Sequence, residues 1–180
     1  MRPVDHGQAG APTEGAEGER RDARALERLI GDGAVFLHDR RVPGTRGNID
    51  HLAVAASGVW IVDVKHYGGK VERRDVGGWV TSDVRLYVSG RDRSSVADAL
   101  SWQLIAVLHA LGEPGIPLTP ALCFVGSEWG WFSKPFQHHG VWVTCAKKLA
   151  GMIASPGPMS AFNVDRVSRM LSERLPPHTR

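Results

Sequence analysis

Cysteine is scarce in this chain of 180 residues, which contains only Cys123 and Cys145. Two cysteines cannot supply the disulfide framework of a small secreted protein, and these two lack the spacing of a metal-binding pair. We therefore expect the chain to work in a reducing, cytoplasmic environment.

Long apolar runs are also lacking. Residues 52–64 and 102–111 are the most apolar stretches, but polar side chains interrupt both, and neither reaches the roughly 20 residues that span a bilayer. Residues 1–16 are rich in glycine and proline without an apolar run, so we expect a disordered leader rather than a signal peptide. The remainder, residues 17–180, has the length of a single domain without a membrane segment.

The hydrophobic pattern alternates between helices and strands. Helices are predicted over residues 17–30, 96–111, 146–153 and 162–175, with Ser94 or Ser95 capping the second. Strands are predicted over residues 34–37, 49–55, 59–65, 120–125 and 141–144, with short extended pieces at 71–73, 79–81 and 86–89 after Gly68-Gly69 ends the third strand. An aromatic loop, residues 129–136, separates the last two strands. This order predicts an α/β fold with a mixed central sheet flanked by helices.

Two aspartates face each other in the predicted hairpin of residues 49–65. The register that pairs Leu52 with Ile61 also sets Asp50 opposite Asp63, with Cβ atoms about 5 Å apart. Lys65 lies on the same face, two residues beyond Asp63. The sequence thus places two acids and one ammonium group in a small volume.

Opposed carboxylates can hold a hard divalent cation such as Mg²⁺, or Mn²⁺, together with phosphate oxygens. A neighbouring lysine can stabilise charge in the transition state of phosphodiester hydrolysis. The alternative is an ordinary ion pair between Asp63 and Lys65 at a strand end, with Asp50 facing solvent. Spacing alone leaves both interpretations open.

Helical geometry separates the two glutamates that begin the first helix. Glu19 shares a stripe with Leu26 and Ile30, whereas Glu17 falls among arginines on the solvated side. Glu19 either approaches the metal site or serves the helix N-terminus. On the long helix, Gln103 either lines the site, where it could bind a phosphate, or is a core-edge amide bonded to backbone.

Several motifs in order resemble the nuclease-related (NERD) domain, a branch of the PD-(D/E)xK nuclease superfamily. The resemblance covers residues 18–111. Its carriers are Gly18-Glu19, Leu37-His38-Asp39-Arg40-Arg41-Val42-Pro43, Gly47-Asn48-Ile49-Asp50-His51, the run from Gly58 to Gly69 with Asp63-Val64-Lys65, Gly90-Arg91-Asp92-Arg93, and Gln103. Ile49 replaces the superfamily's proline, and the (D/E) position is Asp63.

The resemblance implies a restriction-endonuclease-like core with a divalent-metal site. It assigns Glu19, Asp50 and Asp63 as metal ligands and Lys65 as a catalytic residue. Nucleic acid is the implied substrate, and we expect DNA. Independently of the resemblance, Gln103 and the arginines that flank the site in sequence are candidate contacts: Arg40, Arg41, Arg46, Arg73, Arg74, Arg91 and Arg93. A non-catalytic binding module on the same fold is the alternative.

Two further clusters have weaker support. His138-His139 with Cys123 and Cys145 matches no structural-zinc spacing, so the sequence favours no zinc site there. The aromatic loop could stack bases, although clustered aromatics more often close a core edge.

Overall fold

The structure is a computed structural model that describes residues 24–129 and 134–178. The predicted leader, Glu17, Glu19 and the tip of the aromatic loop with Trp131 and Phe132 lie outside the described residues. Within them, the chain has the expected α/β architecture with a mixed sheet. The strands are β1 (Ala34–Arg41), β2 (Asn48–Ala55), β3 (Gly58–Asp75), β4 (Val84–Val88), β5 (Arg91–Asp92), β6 (Leu118–Glu128), β7 (Phe136–His138) and β8 (Val141–Cys145). The helices are α1 (residues 24–30), α2 (Ser94–Asp98), α3 (Leu100–Leu111), α4 (Ala146–Ile153) and α5 (Ala161–Arg174), and a 3-10 turn, Gly31–Gly33, follows α1.

The main sheet has the strand order β1-β2-β3-β6-β8-β7. The pairs β1–β2, β2–β3 and β7–β8 are antiparallel, whereas β3–β6 and β6–β8 are parallel. β4 pairs with the far end of β3, and β5 pairs with β4. The sheet is therefore mixed, and β3 lies at its centre.

Helices cover both faces of the sheet, as the alternation of apolar side chains along the strands requires. On one face, Ile61 of β3 joins a core layer with residues of α3 and α5. On the other face, Val62 joins a layer with residues of α1 and α4. The exposed side chains of Arg24 and Arg28 and the buried ones of Leu26 and Ile30 confirm the predicted faces of α1.

The third strand does not end at Gly68-Gly69 as predicted; it continues to Asp75. Its register against β6 shifts between His66 and Gly69, and the backbone then turns to pair with β4. Gly69 has a φ of 85°, and a Cβ there would lie 2.1 Å from Ser89 Oγ. Glycine thus lets the strand bend instead of stopping.

The prediction of an extended piece at residues 79–81 is wrong. These residues lie in an exposed loop between β3 and β4, where Trp79 is fully exposed. Asp75 accepts hydrogen bonds from the backbone N–H groups of Gly77 (3.0 Å) and Asp83 (2.9 Å), and from the Ser82 hydroxyl (2.6 Å). Such side-chain bonds to the backbone compete with strand pairing.

The long helix also differs from its prediction. It begins at Ser94 and is interrupted at Ala99, and no side chain of Ser94 or Ser95 caps it. The Ser94 hydroxyl accepts from Leu86 N (3.1 Å), while Asp92 Oδ1 accepts from Ser94 N (2.9 Å). The Asp92 carboxylate, rather than a serine hydroxyl, therefore accepts a hydrogen bond from a backbone N–H at the start of the helix. The helix ends at Gly112 in the left-handed conformation, as expected.

Length and composition alone would let the segment Ser94–Leu111 cross a membrane. Its inner side packs in the core through Leu100, Val107 and Leu111. Core helices of globular proteins can be equally long and apolar. The aromatic loop is shorter than predicted, because Phe136 starts β7; Phe136 and Trp129 pack against the core. Cys123 is buried, Cys145 is half-buried, and neither forms a disulfide in the described structure.

Candidate metal and nucleic-acid site

Asp63 and Lys65 form an ion pair on the central strand. Lys65 Nζ lies 2.9 Å from Asp63 Oδ1. The Asp63 side chain is only 7% exposed, whereas that of Lys65 is 32% exposed. A buried carboxylate is stable only when paired or linked to a cation. The pair therefore has a buried acidic end and an ammonium end that remains open to a charged ligand.

Asp50 lies beside this pair at the end of the β2–β3 ladder. The pairing of Leu52 with Ile61 is as predicted, and the ladder ends one step further at His51 and Val62. Asp50 and Asp63 are the next residues outward on the two strands. β3 continues to pair with β6 at this level, so Asp63 stays anchored where β2 ceases to be its partner.

Asn48 connects Asp50 to a second acid. Its Nδ2 donates to Asp50 Oδ1 (3.2 Å) and to Asp39 Oδ1 (2.9 Å). Asp39 has a φ of 48° and is the one position skipped in the β1–β2 pairing, whose register is the same at His38 and at Arg40. One amide thereby fixes two half-buried carboxylates, and it orients Asp50.

The sequence interpretation missed Asn48 and Asp39 as site residues, although a signal for both was present. Asn48 stands two positions before Asp50, and residues two apart share a strand face. In the β1–β2 hairpin the pairing of His38 with His51 sets Asp39 beside Asp50. Both residues also belong to the motifs that resemble the nuclease-related domain.

Gln103 is buried on the inner face of α3, 7% exposed. That face packs against the sheet face of Ile61, which strand alternation shares with Asp63. Gln103 Oε1 has no hydrogen-bond partner among the described residues, so a bond from backbone to this oxygen is not observed. Leaving a buried acceptor unpaired costs about 1–3 kcal/mol, and a hydrogen-bond donor from a ligand would remove that cost.

Arg93 lies next to the acidic site through Tyr67. Tyr67 is two residues beyond Lys65 on the same face of β3, and the Arg93 guanidinium lies 5.1 Å from its ring centroid. Arg93 Nε is buried without a hydrogen-bond partner in the described structure. This arginine is thus held in place and retains hydrogen-bonding capacity.

The other arginines differ in their environment. Arg46, in the loop between β1 and β2, and Arg91, in β5, are exposed. Arg40 is buried, and it donates from Nε to Leu175 O (2.6 Å) and from Nη2 to Ser172 O (2.7 Å). The suggestion that Arg40 contacts phosphate is therefore wrong, since its guanidinium fastens the end of α5 to β1.

The donor set fits a hard divalent cation. Asp50 and Asp63 offer carboxylate oxygens, and the orphaned Gln103 Oε1 could accept a hydrogen bond from a metal-bound water. Oxygen donors suit Mg²⁺ and Mn²⁺ better than softer ions. Glu19, the third expected ligand, lies outside the described residues, so its role stays a prediction. The described part of α1 packs on the sheet face opposite to that of Asp63.

Comparison with known proteins identifies a family. No curated protein and no solved structure matched the chain. The nuclease-related domain family (NERD) matches residues 14–125, which is more than half of the chain and includes the candidate residues from Glu19 to Gln103. The order of motifs, the α/β fold and this match agree. The chain belongs to the nuclease-related domain family, with the mixed sheet expected of the PD-(D/E)xK superfamily.

Proposed function

We propose that this protein is a metal-dependent nuclease that hydrolyses phosphodiester bonds in nucleic acid, with DNA as the preferred substrate. The observation that carries the proposal is the buried Asp63 carboxylate, 2.9 Å from the ammonium of the partly exposed Lys65, at the ladder end next to Asp50. Family membership supports the nuclease class.

Asp50 and Asp63 are the proposed metal ligands, with Glu19 as an auxiliary ligand. Mg²⁺ or Mn²⁺ bound there would polarise the phosphate and lower the pKa of a bound water. Asn48 holds Asp50 in position, since it bonds the Asp50 carboxylate directly. Residues that orient a ligand in this way commonly affect metal affinity or activity by about 10–100-fold.

Lys65 is the proposed stabiliser of the transition state. Its Nζ is tied to Asp63, so it is oriented before substrate arrives, and its exposure allows contact with a phosphate oxygen. A preorganised cation acts on charge that develops during the reaction without a further cost of reorganisation. Arg93 contacts the phosphate backbone on one side, with Arg91, Arg46 and Gln103 as further contacts.

Cleavage assays with a matched lysine pair test this function. Lys70 lies on the same strand and its side chain is 62% exposed, but it pairs with Glu72, outside the Asp50–Asp63 site. Plasmid DNA, single-stranded DNA and RNA are incubated with wild type, Lys65→Ala and Lys70→Ala, in Mg²⁺, in Mn²⁺ and in chelator. We expect metal-dependent cleavage of DNA by wild type and Lys70→Ala. The cleavage rate of Lys65→Ala should be lower by a factor of about 100 or more.

Two results would contradict the proposal. Cleavage by Lys65→Ala at the wild-type rate would remove Lys65 from the mechanism. Binding of nucleic acid by all three proteins with no cleavage in any metal would instead identify a non-catalytic binding module. Circular dichroism of the three proteins checks that the variants are folded.

A further inference from the structure

A second cluster of metal-ligating side chains lies away from the carboxylate site. Asp98, in α2, and His138 and His139, at the end of β7, each offer one donor atom, and these atoms all lie within 4.8 Å of one another. His139 Nδ1 is 2.9 Å from Asp98 Oδ1. None of the three belongs to the Asp50–Asp63 site.

His138 has an unused ring nitrogen in a buried position. The residue is 3% exposed, and its Nε2 has no hydrogen-bond partner among the described residues. Its other ring nitrogen faces the backbone of Val84. A neutral imidazole has one N–H and one lone pair, so an N–H directed at Val84 leaves the lone pair on Nε2.

This arrangement is typical of histidines that bind metals. A ligating histidine usually donates its other N–H to a carboxylate or a backbone carbonyl, which fixes the ring and its tautomer. The neutral ring is the form that ligates.

The fold holds the second histidine in place. His139 and Gly140 connect the paired residues His138 and Val141, and both have positive φ values of 48° and 80°. A two-residue turn of this kind is tight and fixes the direction of its side chains. The rings of His138 and His139 stack with centroids 4.0 Å apart, and Asp98 reaches them from a separate element.

We propose that Asp98, His138 and His139 form a binding site for a divalent transition-metal ion, of which Zn²⁺ is the best match. Two imidazoles and one carboxylate are ligands that zinc prefers, whereas Mg²⁺ favours oxygen ligands alone. Donors around one zinc ion lie about 3.3 Å apart. The three donor atoms now lie within 4.8 Å of one another, and the stacked rings would turn so that both lone pairs point at the ion. The bound ion links the β7–β8 turn to α2.

The sequence alone favoured no zinc site at these histidines, because their spacing from the two cysteines matches no structural-zinc pattern. It grouped His138 and His139 with Cys123 and Cys145, but Cys123 is buried in the core layer that α1 and α4 cover. The third ligand, Asp98, is 40 residues away from His138 along the chain. Only the contact between β7 and the β4–α2 region brings it close.

Calorimetric titration with ZnCl₂ tests the site. The full chain without an affinity tag is titrated in millimolar Mg²⁺, so that the carboxylate site is not a competitor. Wild type is compared with His139→Ala, Asp98→Ala and the control His109→Ala, which removes an exposed histidine from α3. His139 and Asp98 are exposed, so these variants should fold; His138→Ala is not used because it removes a buried ring.

We expect one zinc ion per chain for wild type and His109→Ala, and an affinity at least roughly tenfold lower for His139→Ala and Asp98→Ala. Absence of zinc binding by wild type, or equal affinities for His139→Ala and His109→Ala, would overturn the proposal. Cleavage by the same variants is measured in Mg²⁺ alone. Its outcome reports on the carboxylate site, so failure of one proposal is distinguishable from failure of the other.

Discussion

Asn48 and Asp50 are joined by a hydrogen bond of 3.2 Å from Nδ2 to Oδ1, and the same Nδ2 bonds Asp39. Asn48→Ala removes the donor that orients Asp50, but the carboxylate itself remains. We expect cleavage to fall by about 10–100-fold and the Mg²⁺ concentration for half-maximal activity to rise. Activity is measured across a Mg²⁺ titration.

Asn163→Ala is the matched control for this prediction, because Asn163 lies on α5, away from the site. A fall in rate with no change in the Mg²⁺ dependence would show that Asn48 does not act through a metal ligand. Equal effects of the two substitutions would mean that the loss is structural.

Arg93 and Arg74 provide a comparison for nucleic-acid binding, since each guanidinium lies over a tyrosine ring. Arg74 also pairs with Glu72. Arg93→Ala should weaken DNA binding and reduce the slope of log affinity against log salt concentration by about 1. Arg74→Ala should change neither. Fluorescence anisotropy at several salt concentrations gives both slopes, and identical behaviour of the two variants would remove Arg93 from the interface.

His51 predicts a dependence of stability on pH. It is 6% exposed, and its pKa is lowered from 6.5 to about 4, first by burial and then by the adjacent His38, while Glu27 and Asp39 oppose this. The unfolded chain takes up the proton near pH 6.5, whereas the folded protein does not until about pH 4. Stability from this group is therefore complete above pH 6.5 and is lost as pH falls through that interval, by about 3 kcal/mol.

The measurement is the free energy of unfolding in urea between pH 7.5 and pH 4. Other groups titrate in the same range, so wild type is compared with His51→Phe, which keeps a ring of similar size but has no proton to gain. The stability of wild type relative to His51→Phe should fall by about 3 kcal/mol between pH 7.5 and pH 4. A constant difference across the range would show that His51 titrates normally.

Thermal melts test Asp63 as a ligand without knowledge of the substrate. A metal that binds only the folded state adds RT ln(1 + [L]/Kd), about 1.4 kcal/mol at roughly ten times Kd. Wild type should therefore become more stable as Mg²⁺ or Mn²⁺ rises, and Asp63→Asn should gain much less. In chelator, repulsion from Asp50 favours the Asn variant, but the Lys65 ion pair offsets part of this, so the response to metal is the decisive quantity. If the melting temperatures of the two proteins rose in parallel with metal concentration, Asp63 would not be a metal ligand and would form only an ion pair with Lys65.

The sequence predicted the parts of the fold that depend on local periodicity. The register of Leu52 with Ile61 is right because a slip of one residue would move every apolar side chain of the strand to the wrong face. The helix Ala146–Ile153 has its predicted bounds. Asp63 and Lys65 lie on the predicted strand and Gln103 on the predicted helix, while their roles stay predictions.

The parts that failed depend on contacts between distant segments. Asp39 takes a left-handed conformation while its carbonyl accepts from His178 N (2.7 Å), and no local pattern encodes that contact. Arg40 is buried because α5 ends beside β1. Asp98 meets His139 only through tertiary packing. Short-range spacing therefore located the acidic pair but not the residues around it.

The most direct test of the account is the position of Mn²⁺ in crystals of the protein. Anomalous diffraction after a soak in MnCl₂ should give a peak between the carboxylates of Asp50 and Asp63 in wild type, and no peak there in Asp63→Asn. Absence of a peak between the two residues at saturating Mn²⁺, or an unchanged peak in the variant, would contradict the proposed metal centre.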